Sequence, residues 1–317
     1  MFSGILNVRK DAGFTSNDVV AKLRGILRQR KIGHAGTLDP DATGVLPVLL
    51  GNATRLSGRL TDQTKAYRCT LLLGKSTDTQ DISGTVLSEC GTDGLTEEEA
   101  EKAVFSFLGA YEQTPPMYSA KKVDGRKLYE LARQGITVER KSVPVEIFSI
   151  QIEKTDLPRM ILNVSCSKGT YIRTLCSDIG EKLGCGGCME KLERIRSGGL
   201  YLEDSISLSE IERLTEEGRI GEKIIPVEEM FLDLLRVRTG SGADKKLRNG
   251  NALIPSELGL QSPGENRTRQ AENLSVVRIP EEYLPERLRV CDSSGNFLAI
   301  YRYDPSGGSY RPDLMFL

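Results

Sequence analysis

Residues 33–44 read Gly-His-Ala-Gly-Thr-Leu-Asp-Pro-Asp-Ala-Thr-Gly and contain the only histidine of 317 residues. Gly33, Gly36 and Gly44 admit backbone shapes that a Cβ resists. Pro40 pushes Asp39 toward an extended backbone, so the segment reads as a turn rather than a helix. The apolar run Val45 to Leu50 follows directly. A carboxylate on a glycine-punctuated loop ahead of a buried element reads as a reactive group on a rigid scaffold. An isolated Asp-Pro would read more simply as an Asx-turn capping its own loop.

Five further blocks flank this loop. They are Lys10 to Val20 (KDAGFTSNDVV), Gly51-Asn52-Ala53-Thr54-Arg55, and Lys65-Ala66-Tyr67-Arg68. Gln113 to Ala120 (QTPPMYSA) follows, with Gly125 and Leu128-Tyr129-Glu130 behind it, and then Ser167 to Arg173 (SKGTYIR). In this order, and with the 33–44 loop, they resemble the TruB-type tRNA pseudouridine synthases over residues 4 to about 200.

That resemblance implies a chemistry. Pseudouridine formation breaks the N1–C1′ bond of a uridine, turns the base and rejoins it through C5. It uses no redox change, ATP or metal, so no cofactor is expected. By resemblance Asp39 is the catalytic residue, and a carboxylate suits attack at C1′ or stabilisation of charge there. Arg173 would pair with Asp39, keeping it ionised and aimed. Tyr67 is implied to stack on the uracil and to accept the C5 proton. Tyr171 is implied to shape the pocket beside the Asp39–Arg173 pair. Leu192 matches an apolar position that packs on the base, although core packing explains it nearly as well. Lys10 and Lys65 are candidates for RNA phosphates, or else solvated surface lysines. A target uridine must leave its stack at a cost of a few kcal/mol. His34 is the candidate to fill the space it vacates, since imidazole both stacks and hydrogen-bonds.

The implied partner is the T-arm of tRNA, at position 55 of tRNA numbering. Guide-directed relatives carry distinctive extensions, and this chain has no long Lys-rich tail. It is therefore expected to work without a guide RNA, as a monomer. A silent RNA-binding or tRNA-folding module is the alternative, against which the intact Asp39, Tyr67 and Arg173 set argues. A small-molecule glycosidase would need a second acid, and Asp41 is the only obvious neighbour.

Composition sets the background. A chain of this length suggests two domains, and 38% apolar with 27% charged residues is ordinary for a globular protein. No apolar run reaches the length of a membrane span, and Met1 to Lys10 lacks a signal-peptide core, so a cytoplasmic location is expected. Seven scattered cysteines suit free thiols. Cys185-Gly-Gly-Cys188 has no second pair and no nearby histidine; it reads as structural, and no metal is expected. A net charge of −1 and a pI near 6.1 require any RNA surface to be a local basic patch. Arg24, Arg28, Arg30 and Lys31 form one candidate, and residues 121–141, with seven Lys/Arg against three acids, form the other.

Periodicity predicts a strand over Ile5–Val8 and a helix capped at Thr15/Ser16 through Leu27. Further strands are predicted over Tyr67–Leu73, Val143–Ile152 and Met160–Ser165. Helices are predicted after the capping boxes Thr96–Glu99, closed by Gly109, and Ser207–Glu210. Arg126–Gln134 and a stretch capped by Thr170 complete the helices. No strict βαβ repeat or nucleotide fingerprint occurs, so the fold class is α+β with a central, mostly antiparallel mixed sheet. This agrees with the pseudouridine synthase fold implied by resemblance. Near residue 234 the character changes, which divides the chain into 1–233, catalytic, and 234–317. Residues 239–273 are polar without helical period. Strands are predicted at Ser275–Ile279, Leu288–Cys291 and Phe297–Tyr303, the last two joined by a turn at Asp292–Gly295. This β-rich end resembles a PUA-like RNA-binding domain; a purely structural appendage is the alternative.

Overall fold

Alternating burial builds the central sheet. In the Arg159–Cys166 strand Met160, Leu162, Val164 and Cys166 are buried while their odd-numbered neighbours turn outward. The computed structural model describes residues 1–123, 125–261, 277–278 and 284–317. Seven strands lie in the order Gly4–Lys10, Thr43–Leu50, Gly187–Ser197, Lys65–Leu73, Arg159–Cys166, Val143–Asp156 and Gly109–Gln113, with two short strands added beside them. Gly187–Ser197 pairs parallel with Thr43–Leu50. Its pairing with Lys65–Leu73, and the successive pairings out to Gly109–Gln113, are antiparallel. The mixed, mostly antiparallel sheet is the one expected.

Helices Glu97–Phe105 and Ile172–Lys182 supply Ala100, Val104, Ile172, Leu175 and Ile179 to the core formed with Leu71, Leu162 and Val164. Reciprocal capping boxes start Ser16–Ile26 at Thr15 and Glu97–Phe105 at Thr96. Three helix ends differ from expectation. Tyr171, not Thr170, is the cap of Ile172–Lys182, because the Thr170 hydroxyl donates to Ser167 O at 3.0 Å. Glu97–Phe105 stops short of Gly109, whose φ of +90° opens the next strand instead. The predicted 126–134 helix shrinks to Leu128–Ala132, since Arg126–Lys127 pair with Lys122–Val123 in a hairpin.

The chain packs as two units. Asn7–Val48 with Ser57–Ile220 form one, and Met1–Leu6, Leu49–Leu56 and Gly221–Leu317 form the other. In the second, Leu235–Arg238, Arg287–Cys291, Phe297–Asp304 and Ser309–Met315 form a four-stranded sheet in that order. Val237, Leu247, Leu288, Val290, Tyr301 and Tyr310 fill its core. The turn at Asp292–Gly295 forms as expected: Gly295 adopts φ +89°, and the buried Asp292 carboxylate accepts from Ser294 N and Asn296 N. Residues 239–261 hold a short helix, Asp244–Arg248, and a 3₁₀ turn, Pro255–Leu258, that the polar composition hid. Of the predicted 275–279 strand, Val277–Arg278 pair parallel with Leu260–Gln261; the remainder lies outside the described residues. No helix among the described residues is long and apolar enough to cross a membrane.

Candidate active site

The 33–44 loop is secured on both sides of Asp39. Leu38 and Ala42 are buried in the core. The Leu38 amide donates to Ser16 Oγ at 3.0 Å, and Ala35 N donates to Pro47 O at 2.9 Å. Pro40 O accepts from Gly13 N at 3.0 Å and from the Lys10 ammonium at 2.8 Å. With Leu38 and Ala42 turned inward, Asp39 keeps 38% of its side chain open.

Arg173, in the first turn of Ile172–Lys182, meets that carboxylate with a two-pronged contact: Nε to Oδ2 at 3.0 Å and Nη2 to Oδ1 at 3.3 Å. Its side chain is 6% exposed. The other donors reach Thr79 O at 3.1 Å and Tyr118 O at 2.9 Å, and Asp81 Oδ2 lies 3.7 Å from Nη1. The guanidinium thus sits between two carboxylates, in the fork geometry that arginine supplies. Burial pushes the Asp39 carboxyl above the usual carboxylate range, with Arg173 opposing and Asp81 adding to the rise.

Gln113, fully buried, fixes where Arg173 starts. Its amide oxygen accepts from Tyr171 N at 2.7 Å and its nitrogen donates to Tyr171 O at 3.0 Å. Asp81, Thr79 and Gln113 were not singled out from the sequence. Gln113 headed a recognised block, and the polar turn Thr77-Asp78-Thr79-Gln80-Asp81 carried no signal that it returns to Arg173.

The remaining expected residues divide into two groups. Tyr67 is buried in the same core cluster as Leu38, and half-buried Leu192 packs against that cluster from the neighbouring strand. Tyr67 remains a neutral phenol, because burial raises it and the Arg194 guanidinium beside it opposes only in part. His34 is half-buried at the loop's start, with Nδ1 unpartnered; burial, then Arg194, lowers its pKa and keeps it neutral. Lys10 and Lys65 do not reach outward as phosphate contacts would require. They are 0% and 6% exposed, and Lys65 donates to Thr61 O and to Gln63 O. Burial lowers both amines to about 8. Lys10 instead holds the loop from beneath.

Gly44 closes the loop at φ +101°, and a Cβ there would lie 2.3 Å from Arg194 O. Gly44→Ala is therefore expected to cost at least ~3 kcal/mol, from left-handed strain plus a backbone clash that cannot relax. Urea unfolding of the purified variant checks this; a loss under about 1 kcal/mol would contradict it.

Two family models match: "TruB family pseudouridylate synthase (N terminal domain)" over residues 24–172, and "tRNA pseudouridylate synthase B C-terminal domain" over residues 173–232. The tRNA pseudouridine synthase B of Lachnoclostridium phytofermentans is 44% identical over 323 residues, covering 99% of this chain and 100% of that protein. That of Halalkalibacterium halodurans is 39% identical over 320 residues, covering 99% and 97%. Among solved structures, a Cbf5-Nop10-Gar1 complex aligns with a TM-score of 0.68 at 23% identity, over 99% of this chain and 85% of that one. An H/ACA RNP bound to a substrate RNA containing 2'-deoxyuridine aligns at 0.66 and 22%, with the same coverage. At such identities the likeness is one of fold.

Proposed function

Since the chain belongs to the TruB family of pseudouridylate synthases, we propose that it isomerises a uridine of the tRNA T-loop, at position 55, to pseudouridine. The observation that carries this reading is the Asp39–Arg173 pair. A buried guanidinium holds and aims a carboxylate that keeps an open face toward a substrate.

In this reading Asp39 is the nucleophile at C1′. Its oxygen bonds to C1′ as the N1–C1′ bond breaks, the base turns, C5 bonds to C1′ and displaces the Asp39 carboxylate, C5 loses its proton and N1 gains one. Arg173 aims the carboxylate and offsets part of the burial that would protonate it. Tyr67 and Leu192 flank the base, with Tyr67 stacking; its oxygen receives the C5 proton as its own hydroxyl proton passes on toward N1, so the phenol ends neutral. Tyr171 borders the pocket two residues before Arg173. Neutral His34 fills the space of the flipped uridine. The reading needs no guide RNA and a single copy of the chain, and 234–317 acts as a PUA-like dock for RNA. Incubating unmodified tRNA transcript with the protein and mapping pseudouridine tests it; product elsewhere than the T-loop, or none, contradicts it.

Binding is assigned to two local basic surfaces. Arg24, Arg28, Arg30 and Lys31 are exposed before the loop, and Lys122, Arg126, Arg133 and Lys141 are exposed around the 122–127 hairpin. Affinity for tRNA should fall steeply with salt despite the acidic pI. The log–log slope should exceed about 3, each neutralised phosphate contributing about 0.7–0.9. Replacing Lys122 and Lys141 by Ala together should lower the slope by about 1–2 while the bound-state rate stays unchanged. A filter-binding series across salt concentrations measures both, and an unchanged slope would remove the hairpin from the interface.

A further inference from the structure

We propose that Arg194 is a positioning residue of this site, whose single buried guanidinium fixes both the Asp39 loop and the Tyr67 phenol. The proposal rests on the isomerase reading above. Arg194 is 1% exposed, and among the described residues no carboxylate pairs with it. A buried cation without a counter-charge is costly, and an apolar side chain would fill the space more cheaply. Its retention calls for what only a cationic fork supplies.

The geometry says what that is. Arg194 lies in the Gly187–Ser197 strand, opposite Gly44 of one neighbouring strand and opposite Tyr67 of the other. Its Nε donates to Val45 O at 2.7 Å, and its Nη2 donates to Gly36 O at 2.8 Å. Those carbonyls bracket Asp39 from either end of the loop. Gly36 stands at φ +79°, where a Cβ would lie 3.3 Å from Arg194 Nη1. The loop backbone therefore folds down onto the guanidinium itself. The third partner is the Tyr67 phenol, a direct cross-strand neighbour.

A cation beside a phenol favours the phenolate, which eases acceptance of a proton from C5. The other charged or titratable groups that feel Arg194 are His34, Lys10 and Lys65, and its charge holds each toward its neutral form. Of these groups Arg194 is the one that stands directly across the strands from Tyr67 and bonds its phenol. Arg173, by contrast, grips the Asp39 carboxylate itself and reaches Thr79 O and Tyr118 O, which lie outside the 33–44 loop.

The test measures single-turnover rate at saturating tRNA, tRNA Kd and Tm for wild type, Arg194→Met and Arg194→Lys. Each is made with Tyr67 intact and with Tyr67→Phe. Arg194→Met should slow the rate roughly 100-fold while Kd moves less than about 3-fold. Arg194→Lys, charged but unable to span both carbonyls, should recover only part of that loss. In the Tyr67→Phe background the further loss from Arg194→Met should shrink to less than about 10-fold, since one of its two targets is gone.

A folded Arg194→Met protein with a rate near wild type overturns the proposal. So do losses that multiply in full in the double variant while Kd weakens in step, the mark of a merely structural residue. If Arg194→Met does not fold, Arg194→Lys carries the test, and an unchanged rate in it overturns the proposal. A wild-type chain that makes no pseudouridine overturns the isomerase reading and this proposal with it. An active wild type with unaffected Arg194 variants overturns this proposal alone.

Discussion

Asp39→Asn is expected to abolish isomerisation, with a single-turnover rate at least roughly 10⁴-fold below wild type. Asparagine preserves the shape of the side chain but has neither the charge nor the nucleophilicity of the carboxylate. Arg173 loses its ionic partner on one side yet keeps Thr79 O, Tyr118 O and Asp81, so the site does not fall apart. Affinity for tRNA should stay within about 3-fold, because phosphate contacts made elsewhere supply it. Pseudouridine mapping together with filter binding separates the two effects, and measurable turnover in the pure variant would remove Asp39 from the chemistry. The wild-type rate carries a related signature. Burial raises the Asp39 carboxyl, so the active, ionised form is lost as pH falls through that raised value. The acid limb should therefore lie at higher pH than a free aspartate would give.

Arg173→Lys is the second large effect, a rate loss on the order of 10²–10³-fold. The substitution looks mild and is not. The guanidinium reaches both Asp39 oxygens, two backbone carbonyls and the edge of Asp81 from a site only 6% exposed. A single ammonium cannot span that set, and each carbonyl left unpaired costs roughly 1–3 kcal/mol. Tm should fall along with the rate, while Kd for tRNA changes little. A near-normal rate in a folded Arg173→Lys protein would show that the fork geometry does not matter.

Much of this site was legible in the residues. Asp39, Tyr67 and Arg173 stand in short motifs whose types suit the chemistry, and strongly alternating strands such as Arg159–Cys166 announced themselves. What the sequence concealed was an interior strand of the sheet. Gly187–Ser197 carries Glu190, Lys191, Glu193, Arg194 and Arg196, a composition that reads as a solvated surface. Tertiary pairing on both edges overrides that local character. Arg194 was hidden for the same reason, since a buried cation satisfied by carbonyls has no local pattern. Lys10 and Lys65 erred in the opposite direction. A lysine beside a motif suggests a phosphate, and only the folded chain shows that its nearest acceptors are backbone oxygens. The last strand, Ser309–Met315, escaped because Pro312 interrupts it, which an edge position tolerates.

The pinning of the 33–44 loop bears on which molecule must change shape. Ser16 holds it at Leu38, Gly13 and Lys10 together at Pro40 and Arg194 at Gly36, and Leu38 and Ala42 anchor it in the core. A segment so tied has little room to rearrange when a ligand arrives, so deformation falls on the more pliable partner. The nucleic acid would have to open to a nearly fixed mould. Variation in speed among substrates should then follow how readily each RNA loop yields its uridine, with the protein's own flexibility contributing little.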